Sequence, residues 1–279
     1  MKYYLLFTEI PAEKEPEITQ DMSLLFLGSP IVEYLREKSR ISFYLPHDYP
    51  GIDQVPLLLE ARYPGCSFNI EEIEDYWSTK LHGDFRPLQC GRFRVIPEHL
   101  MGGLDDQAQG KSIYLLPGQA FGTGQHETTA LMLEIMSGMD FAGRSVLDVG
   151  CGTGVLSLAS KMSGAAKVLG IDNDPLAVEN ARHNLNLNGG GPGIEFQLTD
   201  LARMKSCEWN FVFANIILSV LTEYRKEFFA LAGQGAWLAF SGITSDQGPE
   251  FIEIFDFLEL ECLKKNDWLA FFGRKRQSE

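Results

Sequence analysis

No stretch of this sequence approaches the roughly 18 consecutive apolar residues that a membrane-spanning helix requires, so a membrane protein is not expected. The opening residues, MKYYLLFTEIPAEKEPE, hold an apolar run of only five before turning acidic, too short for a secretory signal peptide. Cysteine is scarce as well. Cys66, Cys90, Cys151, Cys207 and Cys262 are odd in number and form no Cys-x-x-Cys pair, which argues against a disulfide scaffold and a zinc site. A reducing, cytoplasmic setting is the expectation. Positive charge is also in short supply: 24 Lys and Arg face 38 Asp and Glu, a net charge of −14. Such a surface repels phosphate backbones, so direct nucleic-acid binding is disfavoured and a basic protein partner is favoured. The same acidity also serves solubility alone.

Apolar material is plentiful: 45% of the 279 residues are hydrophobic, with 19 Phe, 9 Tyr and 4 Trp. That supports a sizeable core, in one or two domains, and excludes bulk disorder. The first part reads as small alternating elements. YYLLF (residues 3–7) and ISFYLP (41–46) suit strands, as does SFNIEEI. VPLLLEARY (55–63) suits a helix ended by Pro64-Gly65, and SPIVEYLREK (29–38) a helix behind a serine cap and a first-turn proline. DMSLLFLG (21–28) fits either a strand or a helix. The pattern predicts a small α+β domain of βαβ-type units over residues 1–97, closed by the strand FRVIP (93–97). EHLMGGLDDQAQGK (98–111), rich in Gly, Asp and Gln without periodicity, reads as a linker.

From residue 112 to 279 strands and helices alternate. Apolar strands are expected at SVLDVG (145–150), AKVLGID (166–172), IEFQLTD, NFVFANI, AWLAFSGI and WLAFFG (268–273). Helices are expected at TALMLEIMSGM (129–139), VLSLASKMSG (155–164) and PLAVENARHNLNLNG (175–189). Continuous apolar strands between helices predict a mostly parallel sheet covered on both faces, with ligands at its carboxyl ends.

The motif that carries chemistry is LDVGCGTGVL, with Gly150, Gly152 and Gly154 between strand and helix. A dinucleotide fingerprint would put its third glycine at position 155, which is Val155, and no lysine completes a phosphate loop. The turn therefore invites a ligand close to its backbone but lacks pyrophosphate signatures. Asp148 stands just before it, where a cationic group would be welcome. Asp172 closes the next strand, where a carboxylate accepts from both ribose hydroxyls. Asp200 closes the third, placed to accept from an adenine amino group. A nucleoside with a positively charged tail fits all three acids, which points to S-adenosylmethionine.

LDVGCGTG…GIDNDP resembles the class I methyltransferase fold, and AFGTGQHETTA (120–130), ANII and SGI together resemble the ribosomal protein L11 methyltransferase (PrmA) family. The resemblance implies a Rossmann-like domain with a mostly parallel seven-stranded sheet, behind a smaller N-terminal α+β substrate-recognition domain. It implies methylation of lysine side chains and the N-terminal amine of ribosomal protein L11; a monomer is the expected state. DYWSTKLHGDFRPLQCGRFRVIP resembles the family's domain junction but departs at Leu81, where a second tryptophan is usual. That departure opens an alternative, a lysine methyltransferase of another protein such as electron-transfer flavoprotein beta subunit; a non-catalytic cofactor-binding factor is the alternative from a different class. By resemblance, Asn215 faces both cofactor and target nitrogen, Thr129 contacts the cofactor, and Phe121 covers it as part of a lid hinged at Gly122 and Gly124. His126 would stand near the amine's entrance, as a catalytic base or, more simply, as a hydrogen-bonded element of the loop. No metal is expected, because the position that a His-Glu-x-x-His zinc site needs is Ala130. Ile216-Ile217-Leu218 offers no aromatic for stacking a nucleic-acid base.

Overall fold

The computed structural model describes residues 2–26, 31–35, 38–47, 49–74, 86–102, 110–116, 126–204 and 208–276. The chain divides into two compact units, Met1–Gly83 and Asp84–Glu279. The first contains strands β1 (Lys2–Pro11), β2 (Ile31–Leu35), β3 (Lys38–Pro46) and β4 (Phe68–Glu74), with helices α1 (Glu15–Phe26) and α2 (Val55–Arg62). The sheet order is β2-β3-β1-β4, each neighbouring pair antiparallel. Parallel partners β1 and β2 therefore have β3 between them, a split βαβ arrangement. Along β1 the period of two buries Leu6, Thr8 and Ile10, while Glu9 stays exposed. Ile18 and Met22, one helical turn apart on α1, join Ile41, Phe43, Leu45, Val55, Leu59 and Phe68 in this core.

Within the helix expected over residues 29–38, the described residues are extended instead. Ile31–Leu35 is a strand paired with Lys38–Pro46, from Leu35 opposite Lys38 to Ile31 opposite Ser42. Ile31, Val32 and Tyr34 are β-branched or aromatic, and a hairpin partner directly downstream outweighs the serine and proline cues. The segment left open at 21–28 continues α1 as far as Phe26.

The second unit opens with a three-stranded sheet: β5 (Leu88–Cys90), β6 (Phe93–Pro97) and β7 (Lys111–Leu115), with β6 and β7 parallel. The expected domain end at Pro97 thus lies inside this unit, because FRVIP pairs across the expected linker with Lys111–Leu115.

The large sheet comprises β8 (Ser145–Val149), β9 (Lys167–Asp172), β10 (Ile194–Leu198), β11 (Trp209–Asn215), β12 (Ala232–Thr244), β13 (Leu258–Lys265) and β14 (Trp268–Lys275). Its order is β10-β9-β8-β11-β12-β14-β13, parallel except around β14, as the resemblance implies. Helices α3 (Glu127–Ser137), α4 (Val155–Met162), α5 (Pro175–Leu187), α6 (Leu218–Glu223), α7 (Arg225–Leu231) and α8 (Gly248–Ile254) accompany it. Successive residues of one strand serve opposite faces: Phe211 and Phe213 pack with the α3 and α4 side, Val212 and Ala214 with the α6 to α8 side. The strand order reverses between β8 and β11, which opens a crevice at their carboxyl ends. No helix among the described residues is long and apolar enough to cross a membrane.

Candidate active site

The glycine loop starts where β8 stops. Gly150 and Cys151 both donate their N–H groups to the Ile171 carbonyl, at 2.9 and 3.0 Å, which folds the loop over the end of β9. Gly150 has φ +67°, and a Cβ there would stand 2.6 Å from Ile216 Cγ2. On the far side Gly242 has φ +89°, and a Cβ there would stand 2.5 Å from the Ile216 carbonyl oxygen. The residue after Asn215 is thus threaded between two positions that only glycine suits. This tertiary contact explains why the ANII and SGI stretches occur with the glycine loop in one chain.

Each acid at a strand end has defined partners. Asp148 is 1% exposed, and its Oδ2 accepts from Ser157 N at 3.0 Å and Ser157 Oγ at 2.7 Å, tying β8 to the start of α4. Burial, with Asp172 nearby, pushes its carboxyl up to about 7 despite those two donors. The folded chain then holds a proton that the unfolded chain releases near pH 4. Asp148 therefore contributes stability that is full below about pH 4 and is lost as pH rises to about 7. Asp148→Asn removes this titration. Its melting temperature relative to wild type, without ligand, is expected to rise between about pH 5 and about pH 8. A difference constant across that range would contradict the assignment.

Asp172 receives the Gly152 N–H on Oδ2 at 2.9 Å and the Asp174 N–H on Oδ1 at 3.0 Å, so the loop's middle glycine and the next turn share one carboxylate. Each oxygen keeps a further lone pair for a ligand. Asp174 caps α5 through Leu176 N at 2.9 Å. Asp200 accepts from Ala202 N on Oδ1 at 2.7 Å and from Tyr224 Oη on Oδ2 at 2.9 Å.

At the end of β11, Asn215 is 8% exposed and donates its Nδ2 to Thr129 Oγ1 at 3.2 Å. Thr129 is wholly buried and lies 86 residues away in sequence. Asn215 Oδ1 is buried with no hydrogen-bond partner among the described residues. A buried acceptor left unpaired costs about 1–3 kcal/mol, so its retention marks a place where a donor arrives from outside. Removing the threonine hydroxyl strands the amide's other end. Thr129→Ala is expected to lower stability by about 1–3 kcal/mol and to weaken cofactor affinity, with the fold intact. Unchanged melting and unchanged affinity would argue against this placement.

His126 is the N-cap of α3: its Nδ1 accepts from Thr128 N at 3.4 Å and lies 2.8 Å from Thr128 Oγ1. Its ring meets the Trp268 ring edge-on, centroids 4.9 Å apart. Burial lowers its pKa, which favours the neutral imidazole. Phe121, Gly122 and Gly124 lie outside the described residues, as does Leu81.

The fold therefore brings together Thr129 with Asn215, Gly152 with Asp172, and Gly150 with the residue following Asn215. Asp200 meets Tyr224 instead of the other acids. Sequence reasoning missed Ser157, Tyr224 and Trp268. Of these only Ser157 carried a signal, as a hydroxyl in the first turn after the glycine loop. Among the described residues no cluster of three or more His, Cys, Asp or Glu could hold a metal ion.

A nucleoside cofactor with a cationic tail fits this donor set. The carboxylates of Asp172 and Asp200 are acceptors suited to hydroxyl and amino groups, and the buried Asn215 oxygen at the strand end has no partner among the described residues. A family model described as ribosomal protein L11 methyltransferase (PrmA) matches residues 28–276. The ribosomal protein L11 methyltransferase of Vibrio cholerae serotype O1 is 37% identical over 214 residues, 76% of this chain and 72% of that protein. That of Klebsiella pneumoniae subsp. pneumoniae is 34% identical over 227 residues, 80% of this chain and 75% of the relative. Among solved structures, the ribosomal protein L11 methylase of Lactobacillus delbrueckii subsp. bulgaricus shares the fold. Its TM-score is 0.63 at 24% identity, over 69% of this chain and 100% of that one.

Proposed function

Because the chain belongs to the ribosomal protein L11 methyltransferase (PrmA) family, we propose that it transfers methyl groups from S-adenosylmethionine to amino groups of ribosomal protein L11. Lysine side chains and the N-terminal amine are the acceptors. The observation that carries this reading is the buried Asn215 Oδ1, without a partner among the described residues, on an amide whose Nδ2 is held by Thr129 at the carboxyl end of β11. It sits where an incoming amine would need an acceptor for its N–H.

In this account Asp172 receives the ribose hydroxyls, Asp200 the adenine amino group, and the backbone at Gly150 and Gly152 borders the methionine tail. Asp148 lies behind the loop, where a cationic ligand favours its ionised form. Thr129 also contacts the cofactor. When bound, S-adenosylmethionine supplies an electrophilic methyl group on a sulfonium. The chain's own task is then to desolvate, deprotonate and aim an amine. Holding a lysine neutral at pH 7 costs roughly 4–5 kcal/mol, which an apolar, closed surrounding offsets by lowering the amine's pKa. The proton leaves to water, Asn215 Oδ1 accepts an N–H, and the nitrogen's lone pair is turned toward the methyl group. We place His126 beside the amine's entrance and do not give it the role of base, since its Nδ1 is taken up by the helix cap.

The relatives' names favour ribosomal protein L11 over the electron-transfer flavoprotein subunit as substrate. The net charge of −14 suits a basic protein, and Ile216-Ile217-Leu218 supplies no aromatic for a nucleic-acid base. A monomer acting in the cytoplasm completes the reading. The test is incubation of the full chain with isotopically labelled cofactor and unmethylated ribosomal proteins. Label on L11 is expected. Label confined to another basic protein would reject this substrate and keep the activity, and no label anywhere would reject both.

A further inference from the structure

We infer that Tyr224 sets the purine specificity of the cofactor site, by fixing the Asp200 carboxylate in the orientation that accepts an exocyclic amino group. This deepens the proposed function and rests on its assignment of Asp200 to the adenine.

Both oxygens of Asp200 are pinned, and from different segments. Oδ1 takes the N–H of Ala202, two residues on, where it caps a 3-10 turn over Leu201–Arg203. Oδ2 takes the Tyr224 hydroxyl from beyond the following strand. With two donors in place the carboxylate plane can no longer rotate, and one lone pair on each oxygen is left for a ligand. A fixed acceptor pair of this kind receives an N–H and makes no hydrogen bond to a C–H in its place. Preorganisation of this sort strengthens binding by removing an ordering cost.

Tyr224 is itself anchored. It stands at the break between α6 and α7, where its N–H donates to the Val220 carbonyl at 3.1 Å and its carbonyl accepts from Phe228 N at 3.0 Å. Its ring packs against the buried cluster that includes Leu221, Phe228 and Leu201. The hydroxyl is thus carried by a half-buried ring seated against the core. The hydrogen bond to Asp200, followed by burial, pushes its pKa up to about 12, so it stays a donor at any working pH. Nothing in the chemistry of methyl transfer needs this phenol. Its one polar side-chain contact among the described residues is with the acid at the adenine end.

The test compares binding of two probes by calorimetry: S-adenosylhomocysteine, and the purine-riboside counterpart that carries hydrogen in place of the 6-amino group. Wild type is expected to prefer the first by about tenfold or more, the worth of one hydrogen bond to a charged acceptor. In Tyr224→Phe the ring keeps its packing against the core. The preference is expected to shrink to about threefold or less, through weaker binding of the amino-bearing probe alone. Asp200→Ala is expected to lose the preference as well. If Tyr224→Phe keeps the wild-type ratio, or weakens both probes equally, while Asp200→Ala abolishes it, Tyr224 has no part in specificity and only the Asp200 assignment survives. If Asp200→Ala keeps the ratio, the Asp200 assignment fails and this inference fails with it.

Discussion

Asn215→Ala is expected to lower the rate of methylation at saturating cofactor by about a hundredfold, the scale on which misplacing one reacting group acts. Cofactor affinity should change far less, because the proposed function places the lost oxygen toward the amine. Stability gives a second, independent reading. The substitution deletes the amide's bond to Thr129 Oγ1, but it also deletes a buried oxygen that has no partner among the described residues. Those two changes oppose each other at about 1 kcal/mol against about 1–3 kcal/mol. The variant should therefore melt close to wild type while turning over poorly. A residue that only shaped the strand-to-helix turn would show the reverse pattern, with lower stability and near-normal turnover. Single-turnover rates beside thermal unfolding distinguish the two.

Asp172→Ala carries the second large effect, on binding. The carboxylate already organises the loop by accepting from Gly152 N and Asp174 N, and the proposed account adds both ribose hydroxyls as further donors. Hydrogen bonds to a charged acceptor are worth about 1.5–3 kcal/mol each. Losing two of them should raise the Kd for S-adenosylmethionine by about a hundredfold or more. Asp172→Asn, which keeps one acceptor oxygen, should fall between the two. Calorimetric titration checks this, and an affinity within about threefold of wild type would remove Asp172 from the ribose site.

Much of this site is legible in the sequence because each strand announces its own end. Ser145–Val149 and Lys167–Asp172 are apolar runs that stop at a glycine loop or an acid, and the sheet buries both of their faces. What the sequence leaves unreadable is partnership across distance. Nothing local tells that Thr129 meets Asn215, that Tyr224 meets Asp200, or that Ile216 is threaded between Gly150 and Gly242. These pairings exist only once the parallel strands align their carboxyl ends. Elements that lack a full apolar run are hidden for a related reason. Leu258–Lys265 alternates Leu with Glu and Lys as an edge strand, fully burying Leu258 alone, so it offers no continuous signal. The short helices Leu218–Glu223, Arg225–Leu231 and Gly248–Ile254 span fewer than three turns, too few for a period to stand out. Ile31–Leu35 was the reverse case, a strand whose neighbouring serine and proline mimic a helix start. Phe93–Pro97 reads correctly as a strand, but its parallel partner lies beyond an aperiodic segment, so its membership in the second unit follows from that pairing and from the burial of Phe93 and Val95 in one cluster with Val146 and Phe211.

The central claim is that this arrangement of strand-end groups methylates amines of ribosomal protein L11. Peptide mass spectrometry of L11 from cells with the gene intact, and from cells in which it is deleted, tests it most directly. Methylated lysines and a methylated N-terminal amine are expected in the first sample, and unmodified amines at the same positions in the second. L11 carrying the same methylation in both samples would contradict it.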